Sequence, residues 1–177
     1  MRFIDDKDLS FCLTMSEGIE LGELLSILGS SSRILPSQQS FNDSSLSNYE
    51  PGSFGLINVF EEDGMLITLE NNGFAGVGTI AIAQAIEATK SIGHYVAIYR
   101  SSVDNREFWY AEVQDGLLLA NFNPLLSDAP EAVDRFFSGP GEIAKQMVDA
   151  IEYRMEADLK DEWLSRETDT YVVDYRP

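Results

Sequence analysis

Apolar and polar positions alternate through Phe11-Cys12-Leu13-Thr14-Met15-Ser16, which predicts a strand over residues 10 to 16. The period then changes to that of a helix. Ile19, Leu21, Leu24, Leu25 and Leu28 recur at helical spacing, with Glu17, Glu20 and Glu23 near the first turns, where the helix dipole favours anions, and with Gly29 placed as a stop. From residue 30 to 53 the pattern dissolves into Ser, Asn, Gln and Pro, and this stretch reads as a long loop.

Two apolar runs follow, Phe54 to Phe60 and Met65 to Glu70, separated by Glu61-Glu62-Asp63-Gly64; that spacing predicts a β-hairpin with an acidic tip. Asn72-Gly73 then reverses the chain. Thr79 is placed to cap a helix to about Ser91, whose alanines predict close packing on a sheet. His94 to Ser101, Glu107 to Val113 and Leu117 to Phe122 read as three strands in an antiparallel meander joined by short polar turns. A helical turn from Asp128 to Phe137 and a helix from Glu142 to Lys160 close the pattern, leaving a tail over 161 to 177 with an edge strand at Tyr171-Val172-Val173. The expected fold is α+β, a mainly antiparallel sheet with helices packed on one face, in one domain spanning 1 to 177.

Composition changes this picture in one respect. Thirty acidic against twelve basic residues give a formal charge of −18, while 44% hydrophobic and 24% charged residues are ordinary for a globular domain. A field of that sign repels phosphates and anionic lipid, which argues against direct nucleic-acid or membrane-surface binding and favours basic partners. The distribution is also uneven. Between Lys7 and Lys90 the only base is Arg33, against Glu17, Glu20, Glu23, Asp43, Glu50, Glu61, Glu62, Asp63 and Glu70. With neither a signal-like start nor a long apolar run, a cytoplasmic protein is expected.

Candidate chemistry is sparse. Cys12 is the sole cysteine and lies in an apolar alternation, so it reads as a buried, inert thiol. His94 is the sole histidine, at a strand start, and reads as structural. Gly73-Phe74-Ala75-Gly76-Val77-Gly78 precedes a helix yet matches neither phosphate-loop pattern and has no nearby base. No catalytic residue, metal ligand or cofactor is assigned.

The ordered blocks Leu69-Glu70-Asn71-Asn72-Gly73-Phe74, Ser91-Ile92-Gly93, Phe108 to Gly116 and Asn121-Phe122-Asn123-Pro124 resemble a bacterial family of small single-domain proteins of unknown function. The resemblance covers about residues 10 to 165 and implies a recurrent turn at Glu70, Asn72 and Gly73, with no activity attached. By analogy such small acidic proteins resemble immunity proteins, which cover the active site of a toxin. The resulting expectation is an acidic module that binds a basic protein such as a toxin, through Glu61, Glu62, Asp63, Glu70, Phe74 and Asp104. Two rivals are a small-molecule or enzymatic pocket near the Gly73 to Gly78 turn, lined by Glu70, Asn72, His94 and Tyr99, and a nucleic-acid mimic whose carboxylates track a phosphate ladder.

Overall fold

A computed structural model describes residues 9–34, 38–44, 54–71, 73–102 and 107–174. Eight strands, β1 (Phe11–Glu17), β2 (Ser30–Ile34), β3 (Phe54–Glu62), β4 (Met65–Asn71), β5 (His94–Arg100), β6 (Phe108–Gln114), β7 (Leu117–Phe122) and β8 (Asp169–Asp174), form one sheet. Their spatial order is β2-β8-β3-β4-β1-β5-β6-β7, and the neighbouring strands pair antiparallel. The helices are α1 (Leu21–Ile27), α2 (Phe41–Ser44), α3 (Thr79–Ala88), α4 (Asp134–Phe137) and α5 (Ile143–Arg154), with single 3-10 turns at Ala75–Val77 and Asp161–Leu164. The α+β class and the antiparallel sheet are as expected.

The helices, however, cover both faces of the sheet, not one. Along β1, Phe11, Leu13 and Met15 enter a core shared with α5, Phe41 and Trp163, whereas Cys12 enters a second core with Leu24, Leu25, Ala81, Ile82 and Ala85 from α1 and α3. β5 divides in the same way, Val96 and Ile98 to one side and Tyr95 and Ala97 to the other. The near-continuous apolar run of β5, Tyr95 to Tyr99, is what burial on both faces requires, and in β1 the polar Thr14 and Ser16 are buried as well. Clean alternation with a polar outer face would mark a sheet covered on one side.

Both tight hairpins rest on turn chemistry. Asp63 and Gly64 have φ of 53° and 82°, and Asp115 and Gly116 have 49° and 77°. Two successive positive φ values are what a two-residue turn matching the strand twist needs, and Asp-Gly supplies them at little cost. Gly76 serves packing instead: a Cβ there would lie 2.2 Å from Thr14 Oγ1 and 3.1 Å from Cys12 Sγ.

The Ser-rich stretch holds more structure than expected. Ser30–Ile34 forms the edge strand β2, and Phe41–Ser44 a helical turn with Phe41 fully buried. The strand read at 171 to 173 is not at the edge, since β8 lies between β2 and β3. No helix among the described residues is long and apolar enough to cross a membrane.

Candidate functional site

Strand register places the acidic residues. Glu62 faces Met65, Ser16 faces Leu66, Glu17 faces His94, and His94 faces Gln114, so β3, β4, β1, β5 and β6 all end on one row. Glu17 and Glu62 are two strands apart on that row, a separation of about 10 Å. Around it stand the hairpin tip, with Glu61 and Asp63 exposed, Glu20 and Glu23 at the start of α1, and Asp115 in the β6–β7 turn. Six acids of that interval, Glu17, Glu20, Glu23, Glu61, Glu62 and Asp63, thus gather at one end of the sheet, joined there by Asp115.

Glu62 departs from its expected role. Its carboxylate accepts from Lys160 Nζ, from Arg166 Nη1 at 3.1 Å and from Trp163 Nε1 at 3.3 Å. The Lys160 bond, opposed by burial, lowers its pKa below the ordinary carboxylate range. Phe60 packs edge-on against Trp163, 5.5 Å between centroids, and carries the Arg166 guanidinium 4.9 Å above its ring. Glu62 therefore braces the 160–166 segment to the hairpin, while Glu61 and Asp63 point to solvent.

Glu70 departs further. It sits at the opposite end of β4, about 20 Å from the tip for six residues of strand, and is only 2% exposed. A surface contact with a partner is closed to it. Its Oε2 accepts from the Ala75 N–H at 2.9 Å, and burial pushes the carboxyl up to about 8, only partly offset by that bond. The same pocket of polar groups on the α3 side of the sheet holds Tyr95, whose hydroxyl donates to Gly76 O at 2.7 Å. Cys12 lies there too, and burial, with Glu70 adding, pushes its thiol far above the range in which a thiolate forms. Its inert reading stands. Asp104 and Asn72 lie outside the described residues.

A buried polar cluster that the sequence did not announce occupies the other face. Glu112 is fully buried in β6; its Oε1 meets His94 Nε2 at 2.9 Å and Arg154 Nε at 2.5 Å, and its Oε2 accepts from Tyr110 Oη at 3.0 Å. Burial works to raise Glu112, but the His94 and Arg154 bonds outweigh it and the net shift is downward. His94 is thereby held between sheet and helix, with Arg154 also reaching Gln114 at 3.2 Å. The signal available was an acid within Trp109-Tyr110-Ala111-Glu112-Val113, where alternation demands a buried side chain.

At the Phe74 end a groove of about 830 Å³ opens between the 73–78 turn, the ends of β5 and β6, and the loop after β7. Phe74, Tyr99, Trp109 and Leu126 form its apolar walls, with Glu107 and Asn123 among its polar ones. Of the four residues expected to line a pocket here, Tyr99 does so; Glu70 is beneath the turn and His94 lies at the far end of β5. The groove and the acidic row therefore occupy opposite ends of the sheet.

Comparison with protein-family models, with curated proteins and with solved structures returned no match.

Proposed function

We propose that the protein is an acidic binding module that docks a basic protein, and that it acts as an immunity-type inhibitor by covering the active site of a toxin or effector. The observation that carries the reading is the gathering of Glu17, Glu20, Glu23, Glu61, Asp63 and Asp115 at one end of the sheet on a chain of net charge −18. Such a surface steers a basic partner and fixes its register. The resemblance to the bacterial family of unknown function belongs to the same proposal.

Within this reading Glu61 and Asp63 make the contact and Glu62 holds the hairpin in shape. Hairpin rigidity matters because a preorganised surface loses less entropy on binding. The test is affinity for the products of neighbouring genes, measured at several salt concentrations with wild type and with a triple variant, Glu17→Lys, Glu61→Lys and Asp63→Asn. Asn is chosen at 63 because it tolerates the positive φ found there. A partner whose affinity falls steeply with salt and by at least about tenfold in the variant supports the reading. Salt-independent binding, or binding that the variant leaves unchanged, removes it.

A further inference from the structure

We propose that the groove at the Phe74 end is a binding site for an organic cation, an alkylammonium ion with an aromatic or bulky aliphatic body, held between the Phe74, Tyr99 and Trp109 rings and the Glu107 carboxylate. This site is separate from the acidic row and stands whether or not that row docks a protein.

Four observations converge on it. Tyr99 and Trp109 are cross-strand partners on β5 and β6, and Phe74 meets Tyr99 edge-on, 6.4 Å between centroids at 70°, so three rings border one concave space. Ring faces are electronegative and attract a cation, most strongly where water is displaced. Glu107 stands at the rim, exposed, its Oε2 3.5 Å from the Tyr99 hydroxyl, and no lysine or arginine among the described residues pairs with it. The volume, about 830 Å³, suits a small molecule and exceeds what a bare metal ion fills.

The Trp109 indole is turned to suit this. Its N–H donates to Asn121 Oδ1 at 2.5 Å, which fixes the ring's orientation through β7. Burial, with Glu107 adding, keeps the Tyr99 hydroxyl protonated above its ordinary range, so the ring stays neutral beside the carboxylate. One feature opposes a cation. Gly78 and Thr79 bring the N-terminus of α3 to the groove, where the first helical bond is Ile82 N–H to Gly78 O and the preceding amides favour an anion. The three rings and Glu107 outnumber that end, and a ligand with a neutral oxygen at its far end satisfies both.

The opposing pull sets the experiment. Phenethylammonium, phenethyl alcohol and 3-phenylpropionate share one body and differ in charge, and each is titrated into the full chain while the Trp109 indole N–H resonance is followed by NMR. The buried Trp163 is the internal reference. The ammonium is expected to shift Trp109 saturably and to bind roughly tenfold tighter than the alcohol, with the carboxylate weakest. Glu107→Gln should erase the ammonium preference and leave the alcohol's affinity within about twofold, whereas Glu61→Gln at the far end of the sheet should leave the preference intact. The proposal falls if the carboxylate binds tightest, if the three bind alike, if no probe gives a saturable shift, or if Glu61→Gln acts as strongly as Glu107→Gln, which would assign the effect to the general field.

Discussion

Glu70 and Glu112 are both withdrawn from water in the same sheet, on opposite faces, yet one holds its proton far more tightly than a free carboxyl and the other less tightly. Partners make the difference. Glu112 receives His94, Arg154 and Tyr110, two of them able to carry positive charge; among the described residues Glu70 receives one backbone N–H, and its Oε1 has no partner. Burial alone therefore does not decide whether a carboxylate ionises. What decides it is whether the fold brings cationic donors to the buried site, and among the described residues only the face packed on α5 does so.

The largest test of this contrast is the pH dependence of stability. Glu70 has a folded pKa of about 8 against 4.5 when free, so between those values the folded chain keeps a proton that the unfolded chain has lost. Stability then falls as pH rises from 4.5 to 8, by at most about 5 kcal/mol, and levels off above. Glu70→Gln should flatten this slope in urea titrations taken at intervals across the window. Glu112 has the opposite sign: its lowered folded pKa means stability that is present above about 4.5 and lost as pH falls below it. A wild-type curve flat from pH 5 to 8 would contradict the account of Glu70.

Next in size is the loss of the cation that makes Glu112 different. Arg154→Met keeps the aliphatic stem but leaves the buried carboxylate with His94 and Tyr110 alone, and should cost about 3–5 kcal/mol near neutral pH. The double variant Arg154→Met with Glu112→Gln should recover part of that, because the uncompensated charge is gone. A cost below about 1 kcal/mol, or no recovery, would mean that the pair does not set the behaviour of Glu112.

A smaller effect probes the turn that gives Glu70 the Ala75 N–H. Gly76 packs so closely on β1 that a methyl group would meet Thr14 Oγ1 at 2.2 Å, and Thr14 is a stiff, β-branched neighbour. Gly76→Ala should destabilise by about 1–3 kcal/mol. It should also displace Ala75 from the Glu70 carboxylate, raising the pKa of Glu70 further and extending the sloping pH range upward. Destabilisation without that extension would show the turn and the carboxylate to be uncoupled.

These features were legible in the sequence to unequal degrees. The Asp63-Gly64 and Asp115-Gly116 hairpins, the strands they join and the acidic interval were readable because each depends on residues close in the chain. β2 was not, since Ser30 to Ile34 carries one large apolar residue and its strand form is imposed by pairing with β8, some 140 residues away. Sequence shows Glu112 as an ordinary strand residue because Arg154 lies 42 positions later on α5, and Glu62 as a free contact residue because Lys160 and Arg166 follow about a hundred positions later. The two-sided cover of the sheet was visible in the unbroken apolar run of β5, Tyr95 to Tyr99, which one-sided burial does not explain, whereas the alternation of β1 concealed it.

The smallest expected effect separates the three acids of the hairpin tip. Glu62, like Glu112, is held by cations, but at a partly exposed site where water screens the pairing. Glu62→Gln weakens the bonds to Lys160 and Arg166 and should lower the melting midpoint by about 2–4 °C, through loosening of the 160–166 segment. Glu61→Lys with Asp63→Asn touches neither that brace nor the turn geometry and should shift the midpoint by less than about 2 °C, within the range of ordinary surface changes. Thermal unfolding of the two variants side by side decides the matter. If the Glu61 and Asp63 pair proved as destabilising as Glu62→Gln, the tip would be a structural unit throughout, and its exposed carboxylates would lose the independence from folding that a docking surface requires.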